Sequence, residues 1–111
     1  MIAQFLHDNG LALQYDIKTL RSVIQQHLEY GTIITLYDNL GLYAVGRFNV
    51  SDKVVIILDV AIRKDKRFSN ELKTMIKEGL LRFPQVKYLK FERGLRNNTI
   101  HLVKISKFIK E

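Results

Sequence analysis

The chain has 111 residues, 47% of them hydrophobic, with five Tyr and six Phe. This length and composition indicate one folded domain spanning residues 1–111 and exclude a disordered chain. The chain contains no cysteine, which excludes a disulfide framework and a thiolate metal site. No apolar run is long enough to cross a membrane and the N-terminus lacks the pattern of a secretory signal, so we expect a soluble, cytoplasmic protein without a membrane partner.

The net charge of +7 is unevenly distributed along the chain. Residues 1–50 contain three Lys or Arg and four Asp or Glu, which leaves +8 for residues 51–111. This asymmetry is typical of a protein with an anionic partner, such as a nucleic acid, a phosphorylated cofactor or an acidic protein. The alternative interpretation is that exposed lysines keep a small domain soluble.

Two helices are predicted in the first third of the chain. Residues 1–10 predict a short helix that stops at Gly10. Asp16 is a suitable N-cap for a second helix, and Gly31 follows the end of that helix. The apolar residues of the second helix recur at helical spacing: Ile17, Leu20, Val23, Ile24 and Leu28.

A β-hairpin is predicted next. Residues 32–37 and 40–50 have strand character, and Asp38-Asn39 predicts the turn between them. Gly46 lies within the second strand, where it weakens pairing unless a bulge or a close neighbour requires it.

The centre of the sequence predicts a strand, a basic turn and a helix. Residues 54–62 are apolar except for Asp59 and rich in β-branched side chains, which is typical of a strand buried on both faces. A charged turn over residues 63–67 follows, and then a helix in which Ser69 or Asn70 provides the cap. The apolar positions of this helix are Phe68, Leu72, Met75, Ile76, Leu80 and Phe83.

Two further strands complete the predicted fold. Pro84 ends the helix, residues 86–91 form a strand, and residues 92–98 are a polar connection. Residues 100–109 predict a last strand or a strand followed by a turn, with Ile105, Phe108 and Ile109 packing inward. A strand–helix–strand unit implies a parallel, right-handed pair of strands. We therefore expect an α/β or α+β domain with a mixed sheet and helices on both faces.

The basic turn is the best candidate for a binding site. Its cations precede the N-terminus of a helix, where unpaired backbone N–H groups favour an anion. The predicted anion or nucleic-acid ligands are Arg63, Lys64, Lys66 and Arg67 in the turn, with Lys87, Lys90, Arg93 and Arg96 further along the chain. The alternative is that these charges are solvated in an ordinary loop.

Three further sets of residues are candidates for a functional role. Asp59 could be a general base, or it could pair with the backbone or with Arg63 near the end of the strand. Tyr88 and Phe91 lie among lysines and could stack on single-stranded nucleic acid, or they could be core residues. The three histidines, His7, His27 and His101, have no metal-ligand spacing, and no nucleophile motif is present, so neither a metal site nor hydrolase chemistry is predicted.

The order of elements from Asp16 to Phe91 resembles the GNAT acetyltransferase superfamily. The resemblance lies in the glycine-containing strand Leu42–Gly46, the end of the long strand at Leu58–Ile62 and the basic turn that opens a helix. In that family the turn has the pattern Arg/Gln-x-x-Gly-x-Gly/Ala, and its backbone amides hold the pyrophosphate of acetyl-CoA. The matching residues here are Arg67, Phe68, Ser69, Asn70, Glu71 and Leu72. Arg67 fits the pattern, whereas Asn70 and Leu72 stand where small residues are expected.

The resemblance implies roles for particular residues. The backbone of Val60, Ala61 and Ile62 would pair with the pantetheine arm of acetyl-CoA, and the amides of residues 68–72 would hold its phosphates. Asp59 would help to deprotonate an amine substrate. The chain also lacks the tyrosine-containing helix that usually follows the next strand of the family, because residues 92–98 are too few to form it.

Two functions from different classes follow. One is an acetyl-CoA-dependent N-acetyltransferase that acts on an amine of a protein or a small molecule. The other is a non-catalytic module that retains the fold and uses its basic half to bind a nucleic acid or a protein. The lost glycines favour a GNAT-like domain with reduced or absent catalysis. Compact degenerate members of this kind resemble those of bacteriophages, some of which are virion or assembly components.

Overall fold

The computed structural model describes residues 1–91 and 102–108. The elements in chain order are α1 (Ile2–Asp8), α2 (Ile17–Tyr30), β1 (Ile33–Asp38), β2 (Gly41–Ser51), β3 (Val54–Ile62), α3 (Phe68–Arg82), β4 (Tyr88–Phe91), β5 (Leu102–Lys104) and α4 (Ile105–Phe108). The predicted connection over residues 92–98 lies outside the described residues.

The five strands form one mixed sheet in the order β1-β2-β3-β4-β5. All neighbouring strands are antiparallel except β3 and β4, which are parallel and joined by α3. The predictions of a central strand over Val54–Ile62 and of a parallel partner after the helix are therefore confirmed. The partner strand begins at Tyr88, two residues later than predicted, because Val86 packs into the core beneath α3 instead.

Helices cover both faces of the sheet, as predicted for an α+β domain. On one face, α1 and α2 bury a cluster that includes Leu6, Leu20 and Val45. On the other face, α3 packs Leu72, Met75 and Ile76 against the sheet. Leu80, also expected in this interface, is half-buried. Ile105 is buried as predicted, whereas Ile109 and the side chain of Phe108 lie outside the described residues.

The ends of α2 follow the sequence signals. The Asp16 carboxylate accepts a hydrogen bond from the Thr19 N–H at 2.7 Å, and Gly31 ends the helix in the left-handed conformation with φ of +71°. The last turn differs from the expected apolar face. Leu28 is 49% exposed, and His27 is buried in its place because Arg47 and Thr32 provide it with polar partners.

The start of α3 differs from the prediction. Arg67 is the N-cap residue and makes no side-chain cap, so Ser69 and Asn70 lie inside the first turn and cap nothing. The Arg67 backbone is extended and its carbonyl accepts the Glu71 N–H at 3.1 Å. The cap therefore lies two residues before Ser69 and three before Asn70.

Gly46 is explained by a close neighbour. A Cβ at this position would lie 3.1 Å from the Met75 sulfur, so the glycine lets α3 approach β2. The strand register shifts between Arg47 and Phe48. Arg47 pairs with Asp59 and Phe48 with Ile57, which leaves Leu58 as an extra residue in β3.

Candidate functional site

The basic turn after β3 is neutralised in part by nearby acids. The Arg63 guanidinium binds the Asp38 carboxylate at 2.5 Å and the Asp65 carboxylate at 2.6 Å. The Lys66 ammonium also binds Asp38, at 3.0 Å. These hydrogen bonds from Arg63 and Lys66 hold the pKa of Asp38 well below its ordinary value. Two of the four predicted anion ligands in this turn are therefore engaged within the protein.

Tyr43 on β2 holds the turn against the start of α3. The Lys66 nitrogen lies 4.6 Å from the centroid of the Tyr43 ring, a cation–π contact. The Tyr43 hydroxyl donates to the Glu71 carboxylate at 3.1 Å. Burial, together with this hydrogen bond to an acid, raises the pKa of Tyr43. The other two predicted anion ligands of the turn, Lys64 and Arg67, are exposed.

The segment from Arg67 to Leu72 forms the N-terminal turn of α3. Phe68 is 54% exposed, and Ser69 and Asn70 face solvent as well. Leu72 is only 7% exposed and packs in the core cluster with Ile76. The GNAT pattern has a small residue at two positions of this turn. Here these positions hold Asn70 and the core residue Leu72, which both have larger side chains. The residues present do not fit a pyrophosphate cradle of that pattern.

The end of β3 has one edge that pairs with no strand among residues 1–91 and 102–108. The parallel ladder with β4 runs only from Val54 to Ile57 of β3, although β3 continues to Ile62. The Arg63 N–H donates to the Tyr43 carbonyl on β2 at 2.8 Å. Because backbone groups alternate along a strand, the amides of Val60 and Ile62 point away from β2, toward this edge.

The three residues assigned to pantetheine are divided between the two faces of the sheet. The Ala61 side chain is buried in the α1/α2 cluster. The side chains of Val60 and Ile62 pack against the clusters beneath α3. On this edge the backbone of Val60 and Ile62, rather than their side chains, is left without a partner strand among the described residues.

Asp59 is part of a buried ion pair. Its carboxylate accepts hydrogen bonds from Arg47 Nε at 2.7 Å and pairs with Arg47 Nη2 at 2.5 Å. The side chains of Arg47 and Asp59 are 7% and 3% exposed. The partner is thus Arg47 on β2 rather than Arg63, because the bulged register sets Arg47 opposite Asp59.

His27 and Thr32 extend this pair into a buried network. Arg47 Nη1 lies 3.4 Å from His27 Nε2, and His27 Nδ1 lies 2.7 Å from the Thr32 hydroxyl oxygen. Because a guanidinium only donates, the tautomer that fits has Nε2 as acceptor and Nδ1–H as donor to Thr32. Burial and the nearby charge of Arg47 lower the pKa of His27. Within this network the Arg47 guanidinium holds the Asp59 carboxylate on the α1/α2 side of the sheet, both by its charge and by hydrogen bonds.

Sequence reasoning missed Arg47 and His27. A signal for Arg47 was present, since it is the one cation within the strand of residues 40–50 and Asp59 is the one acid within the next strand. Pairing the two required the register, which the bulge shifts by one residue. The sequence contains no such signal for His27. Helical periodicity is read from apolar residues, so it predicts that Leu28, rather than His27, is the buried residue of the last turn.

The basic residues near the C-terminus lie on or beside β4. Lys87 is exposed just before the strand, and Lys90 is half-buried within it. Phe91 packs against the core under α3, whereas Tyr88 lies on the other side of the strand. Arg93 and Arg96, also predicted as anion ligands, lie outside the described residues.

A cavity of about 410 Å³ opens at the far end of the sheet from the basic turn. It is lined by Gln26, His27, Tyr30, Thr32, Asn49, Val50 and Phe83. None of the residues predicted for catalysis or cofactor binding belongs to it. In residues 1–91 and 102–108 there is no group of three or more His, Asp or Glu arranged to hold a metal ion.

No helix in the described part of the chain is long and apolar enough to cross a membrane. Comparison with known proteins found no matching protein family, no matching curated protein and no matching solved structure. Function has therefore to be inferred from the geometry of this chain.

Proposed function

We propose that this protein is a GNAT-like domain that binds a partner without transferring an acyl group. The arrangement of elements supports this proposal: a hairpin leads into a long central strand, and α3 connects that strand to a parallel neighbour. The edge of β3 at Val60 and Ile62, which pairs with no strand in the described part of the chain, also supports it. The GNAT resemblance requires accessible backbone at these residues for pantetheine.

The observation that carries the proposal is the burial of Leu72. A GNAT turn needs a small residue at this position so that the backbone can approach a pyrophosphate closely. Leu72 is instead a core residue of α3, in a cluster with Ile57 and Ile76. The buried Leu72 side chain packs α3 against the sheet. The turn therefore lacks the second small residue of the GNAT pattern.

The state of Asp59 supports the absence of catalysis. A general base needs an accessible carboxylate whose proton affinity suits the substrate. Asp59 is 4% exposed and its Oδ2 is bound by the guanidinium of Arg47, so its carboxylate is not accessible to a substrate. It faces α2 and His27, not the loop at Arg67 where the cofactor of a GNAT protein would lie.

Calorimetric titration with acetyl-CoA and CoA tests the proposal. KM values of enzymes lie between about 1 μM and 1 mM, so we expect no saturable heat with the wild-type protein up to about 1 mM ligand. The double variant Asn70→Gly with Leu72→Ala restores the small residues of the pattern. Any gain in CoA binding should appear in this variant and be lost again when Arg67→Ala is added.

A matched control and a clear contrary result complete the test. Lys73→Ala, an exposed neighbour on α3, should leave the titration unchanged. Tight binding of acetyl-CoA by the wild-type protein, abolished by Arg67→Ala, would contradict the proposal and indicate an active N-acetyltransferase. Acetyl transfer to an amine, followed by the release of free CoA thiol, would do the same.

A further inference from the structure

The face of β4 opposite α3 carries an aromatic ring between lysines. Leu89 is buried under α3 and Phe91 packs against the same cluster. Since side chains alternate along a strand, Tyr88 and Lys90 lie on the opposite face. Lys104 of β5 pairs with Tyr88 in the sheet register and therefore shares that face.

The neighbouring strand β3 extends this face with apolar side chains. Val54 pairs with Tyr88 and Ile56 pairs with Lys90. Val54, Ile56 and Tyr88 are each half-buried, and none of them belongs to a hydrophobic cluster of the described residues. We call Val54, Ile56, Tyr88, Lys90 and Lys104 the open sheet face.

The charge of the open sheet face is uncompensated by the residues that the structure describes. Neither Lys90 nor Lys104 forms an ion pair with residues 1–91 or 102–108. Lys104 is exposed and Lys90 is half-buried. A further lysine, Lys87, is exposed just before β4, where its carbonyl accepts the Ile105 N–H at 3.0 Å. Among residues 1–91 and 102–108, the face as defined contains no acidic residue. In contrast, the cations of the basic turn at Arg63 and Lys66 are bound to Asp38.

We propose that the open sheet face binds single-stranded nucleic acid. A tyrosine ring on a sheet surface gives an unpaired base a platform for stacking, and adjacent lysines neutralise the phosphates of the same strand. The apolar floor of Val54 and Ile56 suits the flat faces of bases. A base paired and stacked in a duplex cannot reach such a ring, so the single strand is favoured. A second copy of this chain is disfavoured, since it would oppose lysine to lysine on a protein of net charge +7.

This inference rests on the proposal that the domain is a non-catalytic binding module, but the two are tested by separate ligands. Failure of the first proposal appears as acetyl-CoA binding or acetyl transfer. Failure of the present one appears only with oligonucleotides.

Fluorescence anisotropy with labelled 15-mers of deoxythymidine and of uridine measures the binding. We expect saturable binding of at least one of them at 50 mM salt, weaker binding of a mixed-sequence DNA duplex, and affinity that falls steeply as the salt concentration rises. Polyglutamate serves as an acidic peptide competitor and should displace the oligonucleotide poorly at equal charge concentration.

Four variants locate the binding. Tyr88→Leu keeps an apolar side chain but removes the ring, and should lower the affinity by about 5- to 150-fold, the range that corresponds to the loss of one stacked base. Tyr88→Phe keeps the ring and should bind as the wild type does. The pair Lys90→Gln with Lys104→Gln should reduce the slope of log affinity against log salt by about 1.4, since each phosphate contact on a single strand contributes about 0.7. The pair Lys18→Gln with Lys73→Gln removes the same charge from two helices and should change the slope little.

Circular dichroism and urea midpoints first establish that each variant is folded. The proposal is overturned if no single-stranded oligonucleotide binds at 50 mM salt, or if Tyr88→Leu and Tyr88→Phe bind alike. It is also overturned if the two lysine pairs have equal effects, which would indicate binding by net charge alone. Equal or tighter binding of duplex, or ready displacement by polyglutamate, would assign the face to a different partner.

Discussion

Arg47 and Asp59 form a buried pair whose members depend on each other. Removing one partner of such a pair leaves an uncompensated charge in the core, which costs about 3–5 kcal/mol. We therefore expect Arg47→Met to lower the free energy of unfolding by this amount in urea denaturation. The double variant Arg47→Met with Asp59→Leu should recover most of the loss.

A surface ion pair provides the control for that measurement. Glu78 lies 3.6 Å from Arg82 one turn along α3, and both side chains are partly exposed. Exposed pairs contribute about 0–1 kcal/mol, so Glu78→Gln should change stability by less than about 1 kcal/mol. An Arg47→Met loss as small as that of Glu78→Gln would contradict the buried network.

His27 should make stability depend on pH in the mildly acidic range. Its pKa in the folded protein is lowered below the ordinary value of 6.5, chiefly by burial and then by Arg47. Between the folded pKa and about 6.5, His27 therefore binds a proton more readily in the unfolded chain than in the folded chain. The stability provided by neutral His27 is complete above about pH 6.5 and is lost as the pH falls below that value, toward the folded pKa.

Urea denaturation at pH 7.5, 6.5 and 5.5 measures this effect, with His27→Gln as the comparison. The variant should show a smaller decrease in unfolding free energy over the interval than the wild type does. Parallel pH profiles for the two proteins would mean that His27 titrates equally in the folded and unfolded states.

At the scale of elements, α3 contains a glycine that its conformation does not require. A Cβ at Gly79 would lie 3.7 Å from Ile34 Cδ1, an ordinary contact, beside an apolar cavity of about 50 Å³. Glycine within a helix costs about 0.5–1 kcal/mol relative to alanine. Gly79→Ala should therefore raise the unfolding free energy by about that amount.

Gly31 is the matched contrast for Gly79. It ends α2 with φ of +71°, where a side chain introduces strain although no atom obstructs it. Gly31→Ala should lower stability under the same conditions. Destabilisation by Gly79→Ala would show that the space beside Ile34 is smaller than the structure indicates.

The uncovered edge of β3 can be observed by hydrogen exchange. The amides of Asp59 and Ala61 point toward β2, whereas those of Val60 and Ile62 point away from it and pair with no described strand. We expect alternating protection in NMR exchange, with Val60 and Ile62 exchanging faster than Asp59 and Ala61. Equal protection of all four amides would show that a further segment pairs with this edge.

At the scale of the whole molecule, one sheet is shared by the cores on its two faces. Leu20 is fully buried on the α1/α2 face and Leu72 is buried on the α3 face. Because β2 and β3 contribute side chains to both cores, the domain should unfold in one cooperative transition. Leu20→Ala and Leu72→Ala should each cost about 2–5 kcal/mol.

Far-UV circular dichroism and tyrosine fluorescence report on this transition. Their midpoints in urea should coincide for the wild type and for both variants. A second transition in either variant would indicate that the two faces unfold separately.

Local signals in the sequence determined the elements of this protein. The β-branched run of Val54–Ile62, the Asp16 cap and the Gly31 stop each act within a few residues, so the order and type of the elements from α1 to β5 could be predicted. The short helix α4 was not predicted, since residues 100–109 indicated a strand or a strand followed by a turn. The same holds for the parallel pairing, since a helix between two strands restricts their connection. Burial of Leu72 and Ile76 followed from helical spacing alone.

Only the tertiary structure decided which charges meet. Arg47 and Asp59 are 12 residues apart, and their pairing depends on a β-bulge that no local sequence pattern predicts. Asp38 binds Arg63 from 25 residues away and thereby compensates part of the charge of the basic turn. The physical reason is that ion pairs and sheet registers depend on distances between separate elements. Hydrophobic spacing specifies which side of an element is buried, but not which residue of another element will lie against it.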